Sequence, residues 1–563
     1  MHIKRADYKY LVPVLVAAGL AVYSSSLSAP FVYDDKPFIA DNQWIRSLSN
    51  FTDLSSMRYV CDLTFALNYL IGGLDPFGYH LVNTFVHILN SILVFFLVGL
   101  IFETPLMKGP GQGQGEAPAI AFSSALLFAV HPIQIQAVTY ISQRYTSLAV
   151  FFYLLSAVLF LKARNTGQEE GGGKGSGASF YLASIASAML AMKTKEISFT
   201  LPFVLTLFEL SFFPGERASR RLLRLAPFFI ASLMIPLGLL LPSNSANPVE
   251  ALMTTNKLKE ASTISRYGYL LTETTVVTTY LRLILLPIDT GNVYDFPLAK
   301  SFFELRVILS SAVLISAMLL TAYLLYSSVR KRNGRGVLIA LGAAWFFMTV
   351  SVESSIIPIK DVFNERRAYL PSIGIILSAV ASLQYGMGFL RRRGAAPSLT
   401  LAAFVLTAVL LGGITFNRNR LWNDPLALYA DEVRKNPYSH SPRMYLGIEY
   451  FERGRPSEAL GQFMEAKRLN PSSVYVRKTL SKYYFNMGMP DEALEELKTI
   501  TSLDPVNREA LYNIGVLYVK KGQLNEARSA MEKVLALYPG DDSAKKALQH
   551  IIRRQSDSTS RVN

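Results

Sequence analysis

The sequence predicts an all-α chain in two unlike parts, a polytopic helical domain of about eleven membrane spans and then a solenoid of short paired helices. Three observations predict it. Apolar runs as long as a bilayer core is thick recur up to residue 415 and then stop. The short loops between them collect Lys and Arg. Beyond the last run the chain repeats itself with a period of 34 residues.

The apolar runs fall near 9–29, 79–102, 117–135, 146–163, 179–192, 198–213, 223–241, 304–327, 337–353, 367–390 and 397–415. Hydrophobic residues make up 51% of the chain and charged ones 17%, too few for a water-soluble protein of this size. The mean hydropathy of +0.27 agrees. The first run lacks a small-residue cleavage site, so it is expected to remain as a span. A single cysteine, Cys61, excludes an internal disulfide.

The net charge of +15 does not point to nucleic acid, because the basic residues sit in loops, where they orient a membrane protein. Five clusters matter: Lys4 and Arg5; Lys162, Arg164 and Lys174; Arg217 to Arg224; Arg330 to Arg335; and Arg391 to Arg393. All five share one side if the spans are as given, so that side and the N-terminus are expected to be cytoplasmic. A further apolar stretch, 266–288, would break this parity, and it carries Arg266, Glu273 and Arg282. It is therefore expected to be interfacial or re-entrant. The segments 30–78, 242–303 and 354–366, the turns near 136–145 and 193–197, and everything after 416 then face outward, into the periplasm if the membrane is an inner cell membrane.

The repeats carry their own signature. Pro471, Pro505 and Pro539 stand 34 apart, as do Gly454, Gly488 and Gly522, and Tyr450, Tyr484 and Tyr518. Ala459, Ala493 and Ala527 each follow a Glu. Small residues let two helices approach, glycine ends the first and proline the second. This is the tetratricopeptide pattern. The expected domains are 1–415 in the membrane, 416–439 as linker and partial repeat (Asn436-Pro437), 440–541 as three repeats, and 542–563 as a terminal helix and disordered tail. Such solenoids present a concave binding surface, here expected to hold a polypeptide.

Chemistry is expected on the outward segments. Tyr33-Asp34-Asp35 follows the first span, and ionisable groups beside lipid are functional candidates. A carboxylate there can take a proton from an attacking hydroxyl or hold a divalent cation. A solvated turn is the plainer reading of two acidic residues alone. Arg58, Arg144, Lys195, Arg282, Arg366 and Arg367 are cations where few are expected, suited to phosphate oxygens or to ion pairs with Glu196, Asp295 or Glu365. His131-Pro132 forms a further local pattern, although lone histidines more often serve as hydrogen-bonded core residues. No His/Cys/Asp spacing supports zinc, and no phosphate-binding loop, dinucleotide fingerprint or nucleophile elbow is present.

In order along the chain come Tyr33-Asp34-Asp35, GLDPFGYHLVN, HPIQIQAVTYISQR, KTKE, VYDFP and NERRAYLPSIG, then Trp422 and the repeats. This ordered set resembles the transmembrane-and-tetratricopeptide-repeat O-mannosyltransferases and their bacterial relatives in the GT-C glycosyltransferase superfamily, over almost the whole chain. The resemblance implies a GT-C fold and transfer of a sugar, with inversion, from a polyprenyl-phosphate or dolichyl-phosphate donor to hydroxyl groups of a protein. It implies a catalytic Asp in the first outer loop, either Asp34 or Asp35. It implies donor-phosphate binding by Arg144, Lys195, Arg366 and Arg367, and acidic positions at Glu196 and Glu365. Gln136 stands where eukaryotic members tend to show Glu, which points to the bacterial branch. The competing expectations are a glycolipid or polysaccharide acceptor, and a membrane scaffold without catalysis.

Overall fold

In this computed structural model the described residues are 5–53, 56–109, 111–166, 174–240, 264–294, 296–354, 358–359, 361–391 and 397–560. Every regular element among them is helical. The chain divides into two compact units, Met1–Asp424 and Pro425–Asn563.

Helix length decides which apolar runs can cross a bilayer. Among the described residues seven helices are long and apolar enough, within Lys9–Ser26, Pro76–Phe102, Ile141–Thr166, Ala218–Gly238, Leu305–Arg330, Glu365–Gly388 and Leu401–Leu421. Gln114–Val130 and Pro132–Val138 reach that length only together and are bent by 55° at the break between them, as in a broken span or a re-entrant loop. Three expected spans are shorter. Gly177–Met192 and Gly334–Val350 are apolar but fall below that length. Leu201–Phe212 has 12 residues, or about 18 Å of helix against a core of about 30 Å. An apolar run counts residues, whereas crossing requires them in one uninterrupted helix. The stretch set aside for its charges forms the helix Arg266–Leu285, which is not among the spanning helices.

The longest helix, α1 (Pro76–Phe102), shows how sequence sets these elements. The Asp75 carboxylate accepts the Phe77 N–H at 3.0 Å, and Pro76 supplies a first residue that needs no partner for a backbone N–H. Its apolar body then packs Val94, Phe95 and Val98 against Phe128, Tyr153 and Phe160 in the main core. His80 and His87 share one face of α1. They bond the Ala29 carbonyl at 2.9 Å, and the Ala129 carbonyl at 3.0 Å with the Tyr369 hydroxyl at 2.7 Å. Both are satisfied core histidines. Gly342 and Gly374 let Gly334–Val350 approach Tyr369–Arg391 so closely that a Cβ on either would run into the other's carbonyl oxygen.

The second unit follows the repeat. Helix pairs His440–Glu452 with Pro456–Leu469, Val474–Asn486 with Pro490–Leu503, and Arg508–Lys520 with Leu524–Leu537 each turn at a glycine with positive φ: Gly454, Gly488 and Gly522. Before them, Pro425–Lys435 stacks Tyr429 on Tyr445 at 5.5 Å. The last helix, Asp542–Ser560, buries Ala544 and Ile551 and so runs past Arg553, where a disordered tail was expected.

Candidate active site

Two chain breaks bring the candidate residues together. After the first span the backbone enters a left-handed turn at Tyr33 (φ 48°), an uncommon conformation for a tyrosine. Its ring is buried and lies 5.8 Å from that of Tyr140. At His131-Pro132 the helix Gln114–Val130 gives way to short helical turns that carry Gln136, Tyr140 and Ser142. His131 makes the bend: Nδ1 accepts the Ile133 N–H at 3.1 Å, and Nε2 bonds the Ile284 carbonyl at 2.9 Å.

The two aspartates left open by the sequence part company here. Asp35 is buried, and its carboxylate accepts the Ser142 N–H at 2.6 Å and the Val32 N–H at 3.3 Å. Burial lifts its pKa to about 7 despite those bonds. Asp34 is half-buried. Its N–H donates to the Tyr140 hydroxyl at 2.7 Å. Burial raises the Asp34 carboxyl as well. Arg366, Tyr140 and Arg58 pull it down, and Asp361 adds to the rise. Asp34 is thus the carboxylate among cations, and Asp35 the one turned into the backbone.

The cations divide in the same way. Arg366 is half-buried, and its guanidinium makes no hydrogen bond or ion pair among the described residues, while its charge acts on both Asp34 and Lys195. Lys195 donates to Glu353 at 2.8 Å and to the Thr146 hydroxyl at 3.0 Å. Burial depresses the Lys195 pKa. Burial also acts on Glu353, but Lys195 and Arg367 overcome it and hold that carboxyl below its usual range. Arg58 reaches Glu196 at 3.8 Å and lies 4.8 Å over the Tyr145 ring.

Two expected phosphate ligands are instead spent on the protein. Arg144 is fully buried, with Nε on Asn83 at 2.6 Å, Nη1 on Asn68 at 2.6 Å and Nη2 on the Tyr79 carbonyl at 3.0 Å. Arg367 donates to the carbonyls of Val362 at 2.8 Å and Asp361 at 2.7 Å. Glu365 is likewise internal, accepting the Gly291 N–H at 2.7 Å and the Tyr294 hydroxyl. Arg282 reaches only the Ile288 carbonyl, at 3.5 Å, from an exposed position. Asp295 lies outside the described residues.

Tyr140, Glu353 and Asp361 were not singled out by the sequence. Tyr140 sits within HPIQIQAVTYISQR, and a Tyr two residues before a buried Ser turn gave no spacing signal of its own. Among the described residues no three His, Cys, Asp or Glu side chains are grouped to hold a metal ion. Asp35 turns each of its oxygens onto a backbone N–H.

In the second unit a groove of about 790 Å³ lies among Phe451, Tyr475, Lys478, Lys482, Phe485 and Asn513. In the first, an apolar groove of about 630 Å³ runs between Val14–Val22, Glu116–Val130 and Leu401–Gly412.

Residues 487–551 match the tetratricopeptide repeat family model. Over 80% of its length the chain is 23% identical to the human protein O-mannosyl-transferase TMTC1, covering 54% of that protein. It is 24% identical to the Caenorhabditis elegans protein O-mannosyl-transferase F38B6.6 over 80% of its length, covering 62% of that protein. A mouse relative, protein O-mannosyl-transferase TMTC4, is 31% identical over 35% of this chain and 30% of its own. The chain thus spans between 30% and 62% of the length of these relatives. Among solved structures, the archaeal oligosaccharyltransferase AglB from Archaeoglobus fulgidus aligns with a TM-score of 0.43 at 12% identity, over 75% of this chain and 56% of that one. The chain resembles the transmembrane-and-tetratricopeptide-repeat O-mannosyltransferases over most of its length.

Proposed function

We propose that the chain is a GT-C glycosyltransferase of the bacterial branch of this family. It moves a sugar from a polyprenyl-phosphate donor to Ser or Thr hydroxyls of a protein, on the outer face of an inner cell membrane. The observation that supports the reading is that Arg366, a half-buried guanidinium that no described residue pairs, lies close enough to the half-buried Asp34 carboxylate to lower its pKa. A base and an anion site set side by side are what transfer from a sugar phosphate requires.

In this reading the acceptor oxygen attacks the anomeric carbon while its proton passes to Asp34. The bond from that carbon to the phosphate oxygen breaks with inversion, and the phosphate leaves as an anion. Arg366, with Lys195 in electrostatic reach, stabilises the charge that develops there. Glu353 pairs with Lys195 and leaves the Arg366 guanidinium uncancelled. Asp35 holds the Asp34 loop to the Ser142 turn. The apolar groove of the membrane unit is the surface this reading assigns to the donor's lipid tail. The groove of the repeat unit is assigned to the acceptor polypeptide, raising its local concentration.

The test is transfer of radiolabel from polyprenyl-phosphate mannose, and from other polyprenyl-phosphate sugars, in membranes containing the protein. Wild type should label protein, and Asp34→Asn should lose at least a hundredfold in rate. Label in lipid instead would move the acceptor to glycolipid. No transfer from any donor would leave a scaffold and overturn the reading.

A further inference from the structure

The outward end of the last span is bound to the segment that carries Tyr140. Thr415 donates to the Val130 carbonyl at 2.7 Å, and Thr139 donates to the Asn419 side-chain oxygen at 2.7 Å. Asn419 in turn donates to the Val22 carbonyl at 3.0 Å, and Asn423 to the Ser25 carbonyl. These bonds seat Trp422, which is fully buried, with its ring 5.8 Å from that of Tyr140. Tyr140 is therefore held between the Tyr33 and Trp422 rings, with its hydroxyl on Asp34.

We infer that Tyr140 is a positioning residue for Asp34, and that Trp422, at the end of the last span, keeps Tyr140 in place. The inference rests on the reading of Asp34 as the base. The Tyr140 hydroxyl accepts the Asp34 N–H at 2.7 Å and also lowers the pKa of the Asp34 carboxyl, so one phenol bears on both the place and the ionisation of that residue. A phenol locked between two rings loses few rotamers when it takes that position. The charged groups that act on Asp34 are Arg366, Asp361 and Arg58, with Asp35 next to it in the chain. Against them the Tyr140 bond favours the ionised form.

Tyr140→Phe keeps the ring and removes the hydroxyl. It should lower kcat about ten- to a hundredfold with the KM for donor unchanged, and move the acid limb of the rate profile to higher pH. Trp422→Leu should reproduce the loss, and the double variant should lose no more than the larger single loss. Trp422→Phe, which keeps a ring, should retain most of the rate, and serves if the leucine variant does not fold. Equal kcat and an unmoved acid limb in Tyr140→Phe, with Asp34→Asn inactive, would overturn this inference alone. A second readout is independent of turnover. A water-soluble carbodiimide labels protonated carboxyls, and the pH midpoint for labelling Asp34, read by mass spectrometry, should rise in Tyr140→Phe. An unchanged midpoint overturns the inference even if wild type transfers no sugar.

Discussion

Asp35 accepts the Ser142 N–H at 2.6 Å, so one buried carboxylate joins the loop after the first span to a turn more than a hundred residues further on. That bond sets Asp35 apart from Asp34, and the proposed reading expects the two to respond differently to substitution. Asp35→Asn can keep one oxygen on Ser142 but sets an amide against the Val32 N–H. It should reduce transfer less than Asp34→Asn and lower the unfolding midpoint of the detergent-solubilised protein. Equal rates in the two variants would contradict the division.

The raised pKa of Asp35 also sets the sign of a pH effect on stability. A carboxyl shifted from 3.8 to about 7 binds its proton more tightly when folded. Its stabilising contribution is whole below the unfolded value and is lost as pH rises through about 7, up to about 4 kcal/mol. The unfolding midpoint should therefore fall between pH 4 and 7 in wild type, and less steeply in Asp35→Asn, by thermal scanning at fixed salt.

Arg366 should behave as a ligand and not as a structural cation. Arg366→Gln should raise the KM for donor and lower kcat, together at least tenfold in kcat/KM, while the thermal midpoint stays within a degree or two. Arg366→Lys should recover part of the loss. A folding defect with unchanged KM would place the guanidinium inside the protein.

Arg144 should do the opposite. Removing it leaves Asn83, Asn68 and the Tyr79 carbonyl without their donor, a cost of about 3 kcal/mol. Arg144→Met should appear chiefly as lower yield and a lower melting temperature. Full stability with loss of donor binding would restore the phosphate role that the sequence suggested.

In the repeat unit, a Cβ at Gly447 or Gly515 would meet the Phe463 ring or the Met531 methyl. Gly447→Val should broaden the unfolding of residues 425–563 expressed alone, seen by circular dichroism, and an unchanged transition would show that the helix pair can yield.

The repeats were legible because their period lies in the chain itself, glycine and proline recurring at fixed offsets. The membrane helices were legible in place but not in length, since the tight turn Glu196–Thr200 takes up the start of the run 198–213 and leaves the helix Leu201–Phe212. Asp34 and Arg366 were found as charges in an apolar context. Their charge did not distinguish them from Arg144 and Arg367, because a guanidinium facing a phosphate and one spent on carbonyls look alike in sequence. What separates them is hydrogen-bond geometry across 61 to 158 residues, as between Arg144 and Asn83 or Lys195 and Glu353. Tyr140 was missed for the same reason.

The helix that ends at Leu421, with Trp422 and Asn423 tied down just beyond it, fixes where this chain can be cut. A chimera that exchanges the repeat unit at residue 415, where the apolar run stops, would discard Asn419 and Trp422 with it. Joined after Asp424, the same exchange keeps both, so under the proposed reading solenoids with other binding preferences can be grafted there to change the acceptor without disturbing the loop that carries Asp34.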